Sequence, residues 1–126
     1  MNCLEGIPGL KRTSRPPAGS VLCRFDEIPS PGAKGFEFTN GDTPFRGFVV
    51  RKGDELFGYL DVCPHSGWPL AVRDERRLTR ERDLLICTGH GALFRIDDGV
   101  CVAGPCEARA LERWPVAVRD GEVVVA

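Results

Sequence analysis

From Val21 to the C-terminus, apolar and polar positions alternate in short runs, each closed by Gly, Pro, Asp or Ser. A period of two with such punctuation marks half-buried strands joined by tight turns, so the pattern predicts a β protein. Residues 21–25 form a first predicted strand, Ile28-Pro29-Ser30-Pro31-Gly32 a turn-rich connection, and residues 36–39 a second strand. Residues 45–51 and 55–62 then flank Lys52-Gly53-Asp54, which predicts a hairpin whose second strand runs directly into Cys63. A short apolar strand over 84–86 ends at Cys87. Residues 93–96 and 100–102 are joined by Asp97-Asp98-Gly99, and residues 114–118 and 123–125 by Asp120-Gly121, two further hairpins with Asp-Gly turns. No long amphipathic helix and no repeat interrupts the series, so the expected fold class is all-β.

The alternation fails in two places. Ahead of the first strand, Arg15-Pro16-Pro17-Ala18-Gly19 reads as extended linker, so residues 1–18 are expected to form a flexible tail and residues 19–126 the domain. Between the two cysteine-ended strands, residues 73–83 carry five arginines against four acids. That near balance predicts a solvated loop, or one short helix laced with local ion pairs, rather than a docking patch.

Composition narrows the class. A chain of 126 residues, 42% hydrophobic and 28% charged, is enough for one core that removes roughly two-thirds of its unfolded surface from water. A formal charge of −1 offers no basic excess to displace counterions from a phosphate backbone, which argues against a nucleic-acid partner. No apolar run is long enough to span a bilayer. Lys11, Arg12 and Arg15 are not followed by the apolar stretch of a secretory signal, so the cytoplasm is the expected compartment.

The candidate chemistry lies between the strands. Cys63-Pro64-His65 is answered by Cys87-Thr88-Gly89-His90, and these are the only two histidines of the chain. Two thiols and two imidazoles offered from paired loops make a four-ligand metal site, and soft sulfur with borderline nitrogen restricts the occupant to zinc or an iron–sulfur cluster. Gly67, Gly89 and Gly91 let backbone approach closely and turn amide N–H groups toward sulfur, which suits an anionic cluster and is merely tolerated by zinc. Of the other four cysteines, Cys23 sits in an apolar run and is expected to be a small buried hydrophobe, while Cys3 lies in the tail.

The pair of boxes, Cys63-Pro64-His65-Ser66-Gly67 and Cys87-x-x-His90-Gly91-Ala92-Leu93-Phe94, resembles the cluster-binding boxes of Rieske [2Fe–2S] proteins, specifically the soluble Rieske-type ferredoxins. Residues 99–105 resemble the proline-containing third loop of that family, and the likeness extends over about 20–126. One departure is the gap of twenty-one residues between His65 and Cys87, longer than is usual for such ferredoxins. The resemblance implies an antiparallel β-sandwich with a smaller cluster-binding subdomain, about 62–107, inserted in a basal β domain. It implies one [2Fe–2S] cluster per chain, with Cys63 and Cys87 on one iron and His65 and His90 on the other. Two neutral imidazoles in place of two thiolates raise the potential above that of four-cysteine ferredoxins. High-potential members add a disulfide between the boxes and hydroxyls that donate to sulfur; Trp68, Gly89, Ala92 and Phe94 supply neither here, which implies the low end of the Rieske range.

The implied role is a one-electron carrier between a reductase and an oxygenase or reductase component, with redox proteins as partners and neither membrane nor nucleic acid. A terminal oxygenase would need two further histidines and a carboxylate for a mononuclear iron, and the chain has no histidine left. A non-redox zinc module stapled by the same four residues is the alternative, and the small Rieske subunit of nitrite-reductase-like enzymes is a related role. Trp68 is expected either on an apolar docking rim or as a lid over the first box. Cys101 and Cys106, near the third loop, are expected to be buried or bystander thiols rather than a regulatory disulfide.

Overall fold

The structure, a computed structural model, describes residues 14–64, 78, 79, 81, 83–87, 91–104 and 109–126. Among them the regular elements are β1 (Val21–Arg24), β2 (Gly32–Phe38), β3 (Phe45–Lys52), β4 (Glu55–Leu60), β5 (Leu84–Ile86), β6 (Leu93–Arg95), β7 (Cys101–Ala103), β8 (Val116–Arg119) and β9 (Glu122–Val125), with one 3-10 turn at Phe25–Glu27. They form three antiparallel three-stranded sheets, in the orders β1-β9-β8, β2-β3-β4 and β5-β6-β7. The expected all-β architecture is what folds. No helix among the described residues is long and apolar enough to cross a membrane.

The alternation of β3 and β4 organises the interior. On one face of the central sheet, Val49 of β3 and Leu56 and Leu60 of β4 join Trp114, Ile28, Cys23, Val123 and Val125. On the other, Phe48 and Val50 of β3 and Tyr59 of β4 join Leu85, Phe94, Ile96 and Leu111. Successive side chains of a strand point to opposite faces, so one apolar strand serves two clusters at once. Trp114, fully buried, lies edge-on to Phe36 and Phe45 over the first of these faces.

Segment 109–114 ties the sheets together. The Cys101 amide donates to the Arg109 carbonyl (2.7 Å) and the Leu111 amide to the Gly99 carbonyl (2.9 Å), which lays the segment along β7. The Leu60 amide then donates to the Glu112 carbonyl and the Trp114 amide to the Gly58 carbonyl, each at 2.9 Å, so the same segment continues along β4. At the N-terminal side the packed chain begins earlier than Ala18: Ser14 and Pro16 are buried, the Ser14 hydroxyl accepts from the Gly41 amide (2.8 Å), and the Arg15 guanidinium lies 5.6 Å from the Phe45 ring centre.

Candidate metal centre

Both predicted boxes open where a strand stops. After β4, the Asp61 amide donates to the Arg46 carbonyl (3.0 Å), and this bond fixes the chain two residues before Cys63. Asp61 is buried and Cys63 fully so. After β5, the Cys87 amide donates to the Ala92 carbonyl (2.9 Å) while the Gly91 amide donates to the Cys87 carbonyl (2.7 Å). These two bonds pinch the second box at its ends, and Gly91, at φ +74°, takes the left-handed conformation that the pinch requires. The first box is therefore fixed by a backbone hydrogen bond to β3 and the second by two bonds that close it on itself between β5 and β6, the arrangement a site needs if its ligands are to keep their positions.

The two thiols converge on one interior. Cys63 and Cys87 belong to the same buried cluster as Ala92, Phe94 and Cys101. His65 and His90 lie outside the described residues, as do Gly67, Trp68, Gly89, Pro105, Cys106, Cys3 and residues 73–77, 80 and 82 of the arginine-rich segment. What is described of that segment is partly interior: Leu78 is buried and bridges to Leu85, and the Thr79 hydroxyl donates to the Asp83 carboxylate (2.9 Å) just before β5.

The third loop begins at β7 and presses on the second box. Gly104, at φ +95°, lies so close to Ala92 that a Cβ on it would fall 2.8 Å from the Ala92 Cα. Only a residue without a side chain fits that approach. At the loop's far end, Arg109 Nη1 donates to the carbonyl of Pro64 (3.2 Å), in the first box. Nothing in the sequence pattern singles out Arg109, whose partner is 45 residues away.

Of the other described thiols, Cys23 is separate from this centre and Cys101 shares its cluster. Cys23 lies in the other cluster, where burial first, and the Glu27 carboxylate second, push its pKa up. It stays a protonated apolar group, as the sequence suggests. The thiol of Cys101, also buried, donates to the Ala103 carbonyl (3.2 Å). Below the site Tyr59, buried, donates its hydroxyl to the Ile96 carbonyl, and burial pushes its pKa up to about 12.

Two buried cysteines on loops that follow strands offer soft donors, and they fit an iron–sulfur cluster on the side that is described. Comparison with known proteins agrees. Residues 20–119 match the family model for the Rieske [2Fe–2S] domain. The ferredoxin CarAc of Metapseudomonas resinovorans is 33% identical over 78 residues, 62% of this chain and 67% of that protein. Among solved structures, the ferredoxin of carbazole 1,9a-dioxygenase from Nocardioides aromaticivorans IC177 superposes with a TM-score of 0.66 at 23% identity, covering 85% of this chain and 95% of that one. A chain from the complex of reduced oxygenase and oxidised ferredoxin in carbazole 1,9a-dioxygenase does so with the same TM-score at 26% identity, covering 85% and 91%. With the boxes, the sheets and the match over residues 20–119 in agreement, the chain belongs to the Rieske [2Fe–2S] domain family.

Proposed function

We propose that this chain is a low-potential Rieske-type ferredoxin in which Cys63 and Cys87 hold one iron of a [2Fe–2S] cluster and His65 and His90 the other. The observation that carries the assignment is the presence of Cys63, three residues after β4, and Cys87, directly after β5, in one buried cluster. When bound, the cluster supplies reversible one-electron chemistry. The protein's part is to hold the ligands rigid and to set the surroundings. The pinched second box and the bond before Cys63 do the first. Ala92 and Phe94, buried and without hydroxyls, bear on the second: neither offers sulfur a donor, which favours a potential near the lower end of the roughly −150 to +300 mV Rieske range.

The chain performs no chemistry on a substrate; it takes an electron from a reductase and passes it to an oxygenase or reductase component. Support comes from the related solved complex between an oxygenase and its ferredoxin. A division into a ligand-holding subdomain, about 62–107, and a basal β domain accords with the separate β5-β6-β7 sheet. The compartment we assign is the cytoplasm; two of the six cysteines stand in metal-ligand spacing with histidines, which a secreted disulfide framework does not require.

The test is the visible and EPR spectrum of protein purified without oxygen, with iron and sulfide assays. A Rieske spectrum is expected, abolished in H90A and intact in C23A. A colourless protein carrying zinc and no sulfide overturns the assignment, and a native spectrum in H90A overturns the ligand set.

A further inference from the structure

The third loop is fastened at both ends. Cys101 and Arg109 are joined across it by the Cys101 amide to Arg109 carbonyl bond (2.7 Å), and the bridge between Val100 and Ala110 continues that closure. Gly104 rests on Ala92 of the second box, while the Arg109 side chain reaches Pro64 of the first. Pro64 stands between Cys63 and His65 and has no amide hydrogen, so its carbonyl is its only backbone group able to bond. A guanidinium donating to a carbonyl is a charge-assisted bond, stronger than a neutral one and rigid in direction.

We propose that Arg109 is a positioning residue of the redox centre: through the Pro64 carbonyl it locks the first ligand box to the third loop and sets a fixed positive charge beside it. This rests on Cys63 being a ligand. The side chain acts by two separable means. The hydrogen bond restrains the box, and the charge favours the reduced state, which carries one more negative charge than the oxidised one. The backbone closure at Cys101 uses the carbonyl of Arg109 and survives any change of its side chain.

The test compares the iron-loaded wild type with R109Q and R109K. R109Q is expected to lower the midpoint potential, to release iron to a strong chelator roughly three- to tenfold faster, as for the loss of one hydrogen bond, and to raise hydrogen exchange around Cys63 while β8 and β9 stay as protected as in the wild type. R109K, which keeps the charge, is expected to restore the potential. If the wild type shows a Rieske spectrum and R109Q matches it in potential, iron release and exchange, the role of Arg109 is overturned and the ligand assignment stands. Exchange that rises equally in β8 and β9 also overturns it, because the side chain then supports the fold at large. A wild type without a Rieske spectrum overturns both.

Discussion

Gly58 lies where the central sheet meets the Trp114 segment, and a Cβ there would fall 2.1 Å from the Trp114 carbonyl oxygen. That neighbour is backbone and cannot swing aside, so G58A is expected to cost about 1–3 kcal/mol, at the upper end of ordinary overpacking, read as a lower urea midpoint. Tyr59, on the opposite face, is the only tyrosine of the protein. Removing its hydroxyl in Y59F leaves the buried Ile96 carbonyl without that donor, an expected loss of about 1–3 kcal/mol. The phenol's pKa, raised to about 12 by burial, also has a stability consequence. A group whose folded pKa lies above its unfolded value near 10 stabilises the fold fully below pH 10 and loses that contribution as pH rises toward 12. Denaturant midpoints between pH 9 and 12 are expected to fall in the wild type more than in Y59F; equal slopes would refute this. Both residues were legible in the sequence only as members of a strand. What each touches was not, because Gly58 meets Trp114 and Tyr59 meets Ile96 from distant parts of the chain.

The elements were more legible than their ends. Gly53-Asp54, Asp97-Asp98-Gly99 and Asp120-Gly121 all stand at turns, since each offers the chain a reversal at little steric cost. In the last, Asp120 at φ +53° and Gly121 at φ +76° both take the left-handed region, as a two-residue hairpin matched to strand twist requires. β1 stops at Arg24, short of the expected Phe25, because the Arg24 amide bonds to the Glu27 carboxylate (3.2 Å) and the Phe25 ring lies 4.0 Å beneath the Arg51 guanidinium. β2 starts at Gly32 rather than Phe36, since residues 32–35 have no alternation of their own and are strands only by pairing with Arg51 to Phe48 of β3. The β6–β7 turn carries a pH signature. The Asp98 carboxylate accepts from the Arg95 guanidinium (2.6 Å) and from the Val100 amide (3.0 Å), and both bonds hold its pKa below the ordinary 3.8. Its support is therefore complete above about pH 4 and is lost as pH falls through the lower folded value. D98N is expected to flatten the fall in thermal midpoint below pH 4, and an unchanged profile would remove the turn from the account.

At the scale of the molecule, two apolar clusters share β3, and only one of them contains Cys63 and Cys87, the proposed ligands. Metal bound by buried thiols contributes folding free energy to the cluster it stands on. Iron removal by a chelator is therefore expected to raise hydrogen exchange in β5, β6 and β7 first, while β1, β8 and β9 keep their protection; simultaneous loss in all sheets would show a single cooperative unit instead. β4 stops at Leu60, two residues short of the expected Val62. By itself the sequence determined the all-β class, the turns, the strand that ends at Cys87, and the chemistry that two thiols and two imidazoles can support. These follow from local rules: side-chain period, turn geometry and ligand type act within a few residues. Tertiary structure alone decided that Trp114 fills the first cluster, that Gly104 rests on Ala92, and that Arg109 reaches Pro64. Each of these joins residues far apart in the chain, and no local pattern records which distant surface a side chain will meet once three small sheets have packed together.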